Sequence, residues 1–194
     1  INFNKEKIVR YAKVVEKLKI IRNAEIRFHE VNGVYSKDKA ALIQFIDTAQ
    51  LALTEVRDTV VRVNKGSNNT WDKIMVDVEK RIKDTIGYEP VSKYFKDVDY
   101  KTMFMVPGVE GKEFDLEIGT IEKFQGLIVP TFEAKTEKKA ILKDLNVSLV
   151  KLELEAIATD EIKGEYVSVG SLNEVTTGGN WPPIYDKKSA KKDN

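Results

Sequence analysis

Apolar side chains recur along residues 4–32 at the spacing of a single helical face. At about 100° per residue they fall on one continuous arc, and charged side chains occupy the opposite side. Asn4 is a suitable N-cap, and Asn32-Gly33 is a strong stop because either residue tolerates the left-handed cap conformation. We therefore predict one long amphipathic helix over residues 4–32. Its apolar arc consists of Ile8, Tyr11, Val14, Val15, Leu18, Ile21 and Phe28.

Two charged residues, Arg22 and Glu25, interrupt this apolar arc. They are three positions apart, so their side chains can pair along the helix. One interpretation is a partly solvated ion pair at the rim of the core. The other is a polar contact that fixes the register of the helix against a neighbouring subunit.

Residues 33–99 mix helical and strand patterns. Ser36 is a suitable N-cap for a second helix, whose apolar side runs from Ala40 to Ile46. Residues 51–63 are rich in β-branched side chains and indicate a strand. Residues 66–70 are a polar loop. Residues 71–86 carry apolar side chains at helical spacing and predict a third helix closed by Gly87.

From residue 100 onward the pattern becomes typical of β-structure. Strands are predicted over residues 100–106, 114–118, 127–134 and 166–169. Residues 124–126 join the second and third of these strands as a hairpin, and residues 108–112 are a turn. Pro130 indicates an edge position or a bulge. The pattern as a whole predicts an α+β fold, with the long N-terminal helix packed on a mainly antiparallel sheet.

The domain boundaries follow from the same pattern. Residues 1–185 are predicted to form a single α+β domain, with residues 4–32 as its helical spine. The lysine-rich tail over residues 186–194 is predicted to be disordered.

The charge balance and the absence of cysteine exclude some kinds of partner and site. The 194 residues contain 32 basic and 31 acidic side chains, for a net charge of +1. A chain this balanced has no overall attraction to phosphate backbones, so nucleic acid is not an expected partner. Cysteine is absent, which excludes disulfides and thiolate metal sites. That absence fits both a cytoplasmic protein and a bacterial envelope protein.

No catalytic, cofactor or metal motif stands out in the sequence. His29 is the only histidine, so one chain cannot supply a histidine cluster for a metal, and a solvated surface position is expected for it. Two acidic pairs, Asp97 with Asp99 and Asp160 with Glu161, could supply carboxylate oxygens as ligands for calcium. Solvated acids in turns are the alternative interpretation. We predict a non-enzymatic protein without cofactors.

The segment from Gly170 to Tyr185 has an unusual composition, with flexible glycines followed by Trp181-Pro182-Pro183. Trp181 is either a plug that covers the end of the sheet or the centre of a recognition surface. In the second case the protein is an extracytoplasmic binding module for a peptide, a glycan or calcium.

Residues 11–25 and the following Val31-Asn32-Gly33-Val34-Tyr35 resemble the first helix and turn of type IV pilin-like and pseudopilin proteins. Those proteins continue into a small antiparallel sheet. Most of the chain is also similar to uncharacterised single-pass envelope proteins of Bacteroidetes-type bacteria. The segments that carry this second resemblance are residues 2–7, 10–14, 84–88 and 179–182.

These resemblances imply a membrane-anchored, extracytoplasmic structural or assembly subunit of a pilus-like or secretion-related apparatus. The expected partners are other envelope proteins or copies of the same chain. Because the chain begins at Ile1 rather than Met, we expect a membrane segment upstream. Arg22, Glu25 and Trp181 are the predicted interaction residues.

Overall fold

The computed structural model describes residues 2–66, 71 and 73–187. Its elements, in chain order, are α1 (Phe3–Asn32), α2 (Lys39–Thr48), β1 (Gln50–Asn64), β2 (Met75–Pro90), β3 (Asp115–Lys123), β4 (Leu127–Glu137), α3 (Lys138–Ile141), α4 (Val147–Leu154) and β5 (Tyr166–Gly170). Short 3-10 turns cover Val91–Phe95, Phe124–Gly126 and Pro183–Tyr185. The predicted α+β class is confirmed.

The predicted N-terminal helix is confirmed as α1. It ends at Gly33, whose φ of 73° is the left-handed conformation that a residue without Cβ adopts at little cost. Its N-cap is Asn2 rather than Asn4, because the Asn2 side chain accepts a hydrogen bond from the Asn4 N–H at 3.1 Å. Most of the apolar arc is the buried face: Tyr11, Val14, Val15, Leu18 and Ile21 are at most 1% exposed. At the two ends of the arc, Ile8 is 41% exposed and Phe28 is half-buried.

The helix α2 is also confirmed, although its cap differs from the prediction. Asp38 is the N-cap and accepts a hydrogen bond from the Ala41 N–H at 3.1 Å. Ser36 lies before the cap, where its hydroxyl accepts a hydrogen bond from the Asp38 N–H. Leu42, Phe45 and Ile46 bury the inner face of α2 in the core that α1 enters.

A three-stranded antiparallel sheet in the order β3-β4-β5 forms the second layer of the domain. The three corresponding strand predictions and the hairpin over residues 124–126 are confirmed. Residues 133–137 of β4 pair with β5, and α1 contacts both strands. Pro130 lies beyond the end of β5 and opposite Thr120. There β4 is paired only with β3 and is locally an edge strand, the kind of position where proline is tolerated.

The third predicted helix is wrong, because residues 75–90 form β2. This strand pairs with β1 along its whole length in a separate two-stranded antiparallel sheet, with one irregularity between Leu53 and Thr54. The prediction of β1 itself is confirmed. Within the loop predicted over residues 66–70, positions 67–70 lie outside the described residues, and Gly66 is a bend.

The strand predicted over residues 100–106 is also wrong. This segment consists of turns, with a single bridge between Met105 and Glu113. Met103, Phe104 and Val106 are all buried in the core, so the segment bends to place neighbouring side chains inward. The predicted turn over residues 108–112 is confirmed, with left-handed glycines at positions 108 and 111.

The disorder predicted for residues 186–194 mostly concerns positions 188–194, which lie outside the described residues. Asp186 at its start is held by Trp181 and Lys19. No helix among the described residues combines the length and the apolar character needed to cross a bilayer.

Candidate functional site

The hairpin of β1 and β2, called the hairpin arm below, exposes nearly all of its side chains. Leu51, at the base, is its only buried residue. At about 3.3 Å per residue, strands of this length extend for about 50 Å. A two-stranded ribbon is marginally stable on its own, because each side chain is covered only by its cross-strand neighbours. The arm is therefore a candidate site of contact with another molecule.

One face of the arm, called the valine face, is apolar toward the distal end. Val61 pairs with Val78 and Val63 with Val76, and Ile82 follows on the same face. The two β1 valines remain 37% and 42% exposed. Exposed apolar clusters of this kind mark interaction surfaces more often than isolated apolar side chains do.

The other face, called the charged face, carries six ionic side chains: Asp58, Arg62, Asp77, Glu79, Arg81 and Lys83. Two cross-strand ion pairs lie within it, Arg62–Asp77 at 3.1 Å and Arg81–Asp58 at 3.3 Å. These pairs are exposed, so their contribution to stability is small. They do, however, set Arg62 opposite Asp77 and Asp58 opposite Arg81 along the arm.

The base of the arm is tied to the α-helical layer. The Val91 N–H donates to the Ala49 carbonyl at 3.0 Å, and the 3-10 turn after β2 buries Val91 and Phe95 in the core. The guanidinium of Arg27 on α1 lies 3.9 Å from the centroid of the Tyr94 ring. The arm is thus anchored to the domain while its distal part stays exposed.

A second candidate site is a cleft of about 600 Å³ beside the first turns of α1, called the N-terminal cleft. It lies between α1, α4, the loop over residues 159–162 and the segment over residues 182–185. Its ionisable lining residues are Lys7, Tyr11, Glu153, Asp160, Glu161 and Tyr185.

A buried ionic network forms the floor of this cleft. The carboxylate of Glu153 accepts hydrogen bonds from Lys7 Nζ at 3.0 Å and from the Tyr11 hydroxyl at 3.2 Å. Lys138 Nζ, whose side chain is fully buried, lies 3.5 Å from the same carboxylate. Lys138 also donates to the backbone carbonyls of Glu153, at 3.1 Å, and of Ile162.

The electrostatics of the network follow from this burial. Desolvation lowers the pKa of Lys138, and the negative charge of Glu153 acts against that shift. Burial raises the pKa of Tyr11, and Glu153 raises it further. Burial also raises the pKa of Tyr185 to about 12, with a smaller contribution from Glu153. Because the Glu153 carboxylate already accepts hydrogen bonds from three side chains, the network holds α1, α3 and α4 together rather than offering a free acid or base.

The structure places the three predicted interaction residues in different surroundings. Glu25 is fully buried, and its Oε2 accepts a hydrogen bond from the Ser36 N–H at 3.1 Å. The ion pairs among the described residues do not include Arg22 with Glu25, so the predicted rim ion pair is wrong. The reason is that Glu25 points into the core, toward the turn after α1, while Arg22 stays half-buried.

Trp181 is 9% exposed and belongs to the hydrophobic core, as the plug interpretation expects. Its Nε1–H donates to Asp186 Oδ1 at 3.1 Å, and the Asp186 carboxylate also pairs with Lys19 of α1 at 3.0 Å. A Cβ at Gly179 would lie 2.3 Å from the Trp181 ring, so the close approach requires glycine there. The neighbouring Pro182 and Pro183 line the N-terminal cleft instead.

The acidic pairs singled out in the sequence are surface features. Asp99 accepts hydrogen bonds from Thr102 within its turn, and Asp160 is exposed. In the part of the chain that the structure describes, no group of three or more His, Asp or Glu side chains is arranged to hold a metal ion. The ring of His29 stacks on Tyr35 at 4.7 Å and is half-buried.

Sequence reasoning missed the residues of the buried network. Lys7 lies on the apolar arc of α1, four residues before Tyr11 and seven before Val14. That spacing was a usable signal, since a charged residue within an apolar stripe needs a partner in the core. Glu153 carries a weaker signal, three residues after the buried Val150 on α4.

Comparisons with known proteins give no match, whether with family models, with curated proteins or with solved structures. The geometry of the hairpin arm therefore carries the functional proposal.

Proposed function

We propose that this protein is a non-catalytic structural or assembly subunit that binds its protein partners through the hairpin arm. In the same proposal it is an extracytoplasmic, membrane-anchored protein of a bacterial envelope, with a pilin-like arrangement of spine helix and sheet. The observation that carries the proposal is the exposure of a ribbon about 50 Å long. When another protein packs on such a ribbon, it buries the exposed side chains and can pair with the open edges of the strands.

The order of elements supports the pilin-like part of the proposal. The long helix α1 packs its apolar arc on an antiparallel sheet, as expected for a spine. Ile8 and Val9, near the start of α1, are 41% and 50% exposed. They leave apolar surface at the end of the helix where an anchor would join it.

Cysteine cross-linking tests the docking role of the arm, because the natural sequence contains no cysteine. The full gene product is expressed in its own host with Val61→Cys or Glu79→Cys on the arm. We expect discrete cross-linked species of higher mass from both variants, since both positions are exposed on the arm. The measurement is electrophoresis of isolated envelopes after treatment with a short cross-linker that joins the introduced thiol to a nearby amine, followed by mass spectrometry.

Lys151→Cys is the matched control, because Lys151 is exposed on α4, within the domain and away from the arm. Cross-links from Lys151 equal to those from the arm, or no discrete species from either arm position, would contradict the proposed docking role. Recovery of the protein in the soluble fraction of the cells would contradict the envelope assignment.

A further inference from the structure

The charges on one face of β2 change sign halfway along the strand. Asp77 and Glu79 come first, and Arg81 and Lys83 follow at the same two-residue spacing. All four lie on the charged face of the hairpin arm. Lys80 lies at the centre of this row and points to the valine face. A row of two acids followed by two bases is complementary to itself when a second copy runs in the opposite direction.

Pairing within the arm leaves half of this row without a partner. Asp77 and Arg81 face Arg62 and Asp58 across the hairpin and form ion pairs with them. Glu79 and Lys83 face Val60 and Val56, and neither has an ion-pair partner within 4 Å among the described residues.

In the part of the chain that the structure describes, the outer edge of β2 is also open. Its sheet has two strands in the order β1-β2, so alternate N–H and C=O groups of β2 point away from β1. Such an edge is a template for another strand, and like charges along it would normally discourage pairing with a copy. Here the row of charges favours it.

We propose that two copies of this chain associate through β2, antiparallel and about a two-fold axis at Lys80, so that the two arms form one four-stranded sheet. In this register Glu79 of each copy faces Arg81 of the other, and Asp77 faces Lys83. The pairing rests on the proposed docking role of the arm and names its partner as a second copy. A four-stranded ribbon also removes the weakness of an isolated two-stranded one.

The charge row selects this register over its neighbours. A slip that moves the axis to Glu79 or to Arg81 sets two like charges of the charged face against each other. It also leaves a single kind of acid–base contact, Asp77 with Arg81 or Glu79 with Lys83, in place of the two kinds in the proposed register. In the proposed register Lys80 meets its own copy on the valine face, where its long side chain can carry the ammonium group outward into water. Val78 of each copy then faces Ile82 of the other and extends the apolar strip of the valine face.

Charge reversal in the purified chain tests the pairing by sedimentation equilibrium over a concentration series. Glu79→Lys sets the introduced lysine against Arg81 of the other copy and should weaken dimerisation by about tenfold or more. The pair Asp58→Lys with Arg81→Glu keeps an ion pair across the hairpin but sets Glu79 against the introduced glutamate of the other copy. This double variant should weaken dimerisation similarly. Combining all three changes restores opposite charges at both contacts and should recover most of the wild-type association.

Glu55→Lys is the matched control, because it makes the same charge change at an exposed position of β1 outside the row. It should leave the dimerisation constant unchanged. Far-ultraviolet circular dichroism verifies that each variant is folded.

A monomeric wild-type chain at every concentration, or a triple variant that remains as weak as its parents, would overturn the β2 pairing. If the pair at positions 58 and 81 weakens association but Glu79→Lys does not, Glu79 does not face Arg81 of the other copy and the proposed register is wrong. A monomeric chain whose arm cysteines still cross-link to a different protein would overturn self-association and leave the proposed docking function standing.

Discussion

Replacing Glu153 with leucine is expected to lower the free energy of unfolding by about 3 to 5 kcal/mol. The carboxylate pairs with two buried ammonium groups, those of Lys7 and Lys138, whose side chains are 9% and 0% exposed. Leucine leaves Lys138 without a carboxylate partner, and leaves Lys7 only the more distant pair with the partly exposed Glu161 at 3.6 Å. Both cations then lie in a medium that solvates them poorly. Urea unfolding followed by circular dichroism at neutral pH measures the change.

Two further variants make this prediction specific. Glu155→Leu makes the same change at an exposed residue of the same region and should shift stability by no more than about 0.5 kcal/mol. Adding Lys138→Met to Glu153→Leu removes one stranded cation and should recover a large part of the loss, because apolar replacement of a buried ion pair is often close to neutral. An equal loss in the single and double variants would show that the network is not the cause.

Replacing Glu25 with glutamine is expected to remove much of the pH dependence of stability between pH 5 and 9. Burial raises the pKa of Glu25 from its ordinary value of 4.5 to about 8, and the hydrogen bond from the Ser36 N–H opposes that shift. Between these two values the folded state holds a proton that the unfolded state has released. The folded state therefore binds more protons, and stability falls as the pH rises.

The size and the shape of the Glu25 effect are both testable. Each pKa unit corresponds to about 1.4 kcal/mol, so the wild-type protein should lose on the order of 4 kcal/mol from this group between pH 5 and 9. Glutamine can still accept the Ser36 hydrogen bond, but its NH₂ takes the place of an oxygen that has no hydrogen-bond partner among the described residues. We expect the free energy of unfolding of the variant to be equal to or lower than that of the wild type at pH 5, and higher at pH 9. The two stability curves should cross.

Urea unfolding at pH 5, 7 and 9 gives these curves. Glu16→Gln is the control, because Glu16 is exposed on the same helix, and its curve should run parallel to the wild-type curve. A Glu25→Gln curve that also ran parallel would mean that Glu25 is ionised in the folded protein.

The helix α1 was predictable because its signal is local. A 30-residue segment repeats its apolar positions often enough to separate a helical from a strand period, and Gly33 supplies the stop. The strand β2 was not predictable in the same way. Ile74, Val78 and Ile82 are spaced by four residues, and because four is an even number the same spacing fits one face of a helix and one face of a strand. The choice between them depends on β1, whose residues supply the hydrogen bonds of the ladder.

The candidate sites also divide into features that the local sequence predicts and features that depend on distant segments. The exposed ribbon follows from the pairing of β1 with β2, and one half of that pairing was predicted as a helix. The buried network joins Lys7 to Glu153 across 146 positions, a distance over which no local pattern carries information. Glu25 was identified as an intrusion on the apolar arc. Its partner, Ser36, depends on how the chain turns back after Gly33.

Local patterning was enough to establish the α+β class, the extent of the spine helix, and the strands β1, β3, β4 and β5, because each has a periodicity or a turn signal contained in its own residues. Tertiary contacts were required to make residues 75–90 a strand, to coil residues 100–106 into the core, and to bury Glu25 and Lys138. Those outcomes depend on segments that lie far apart in the chain. Contacts between such segments exchange water for protein neighbours, and their free energy outweighs the weak conformational preference of a short stretch of chain.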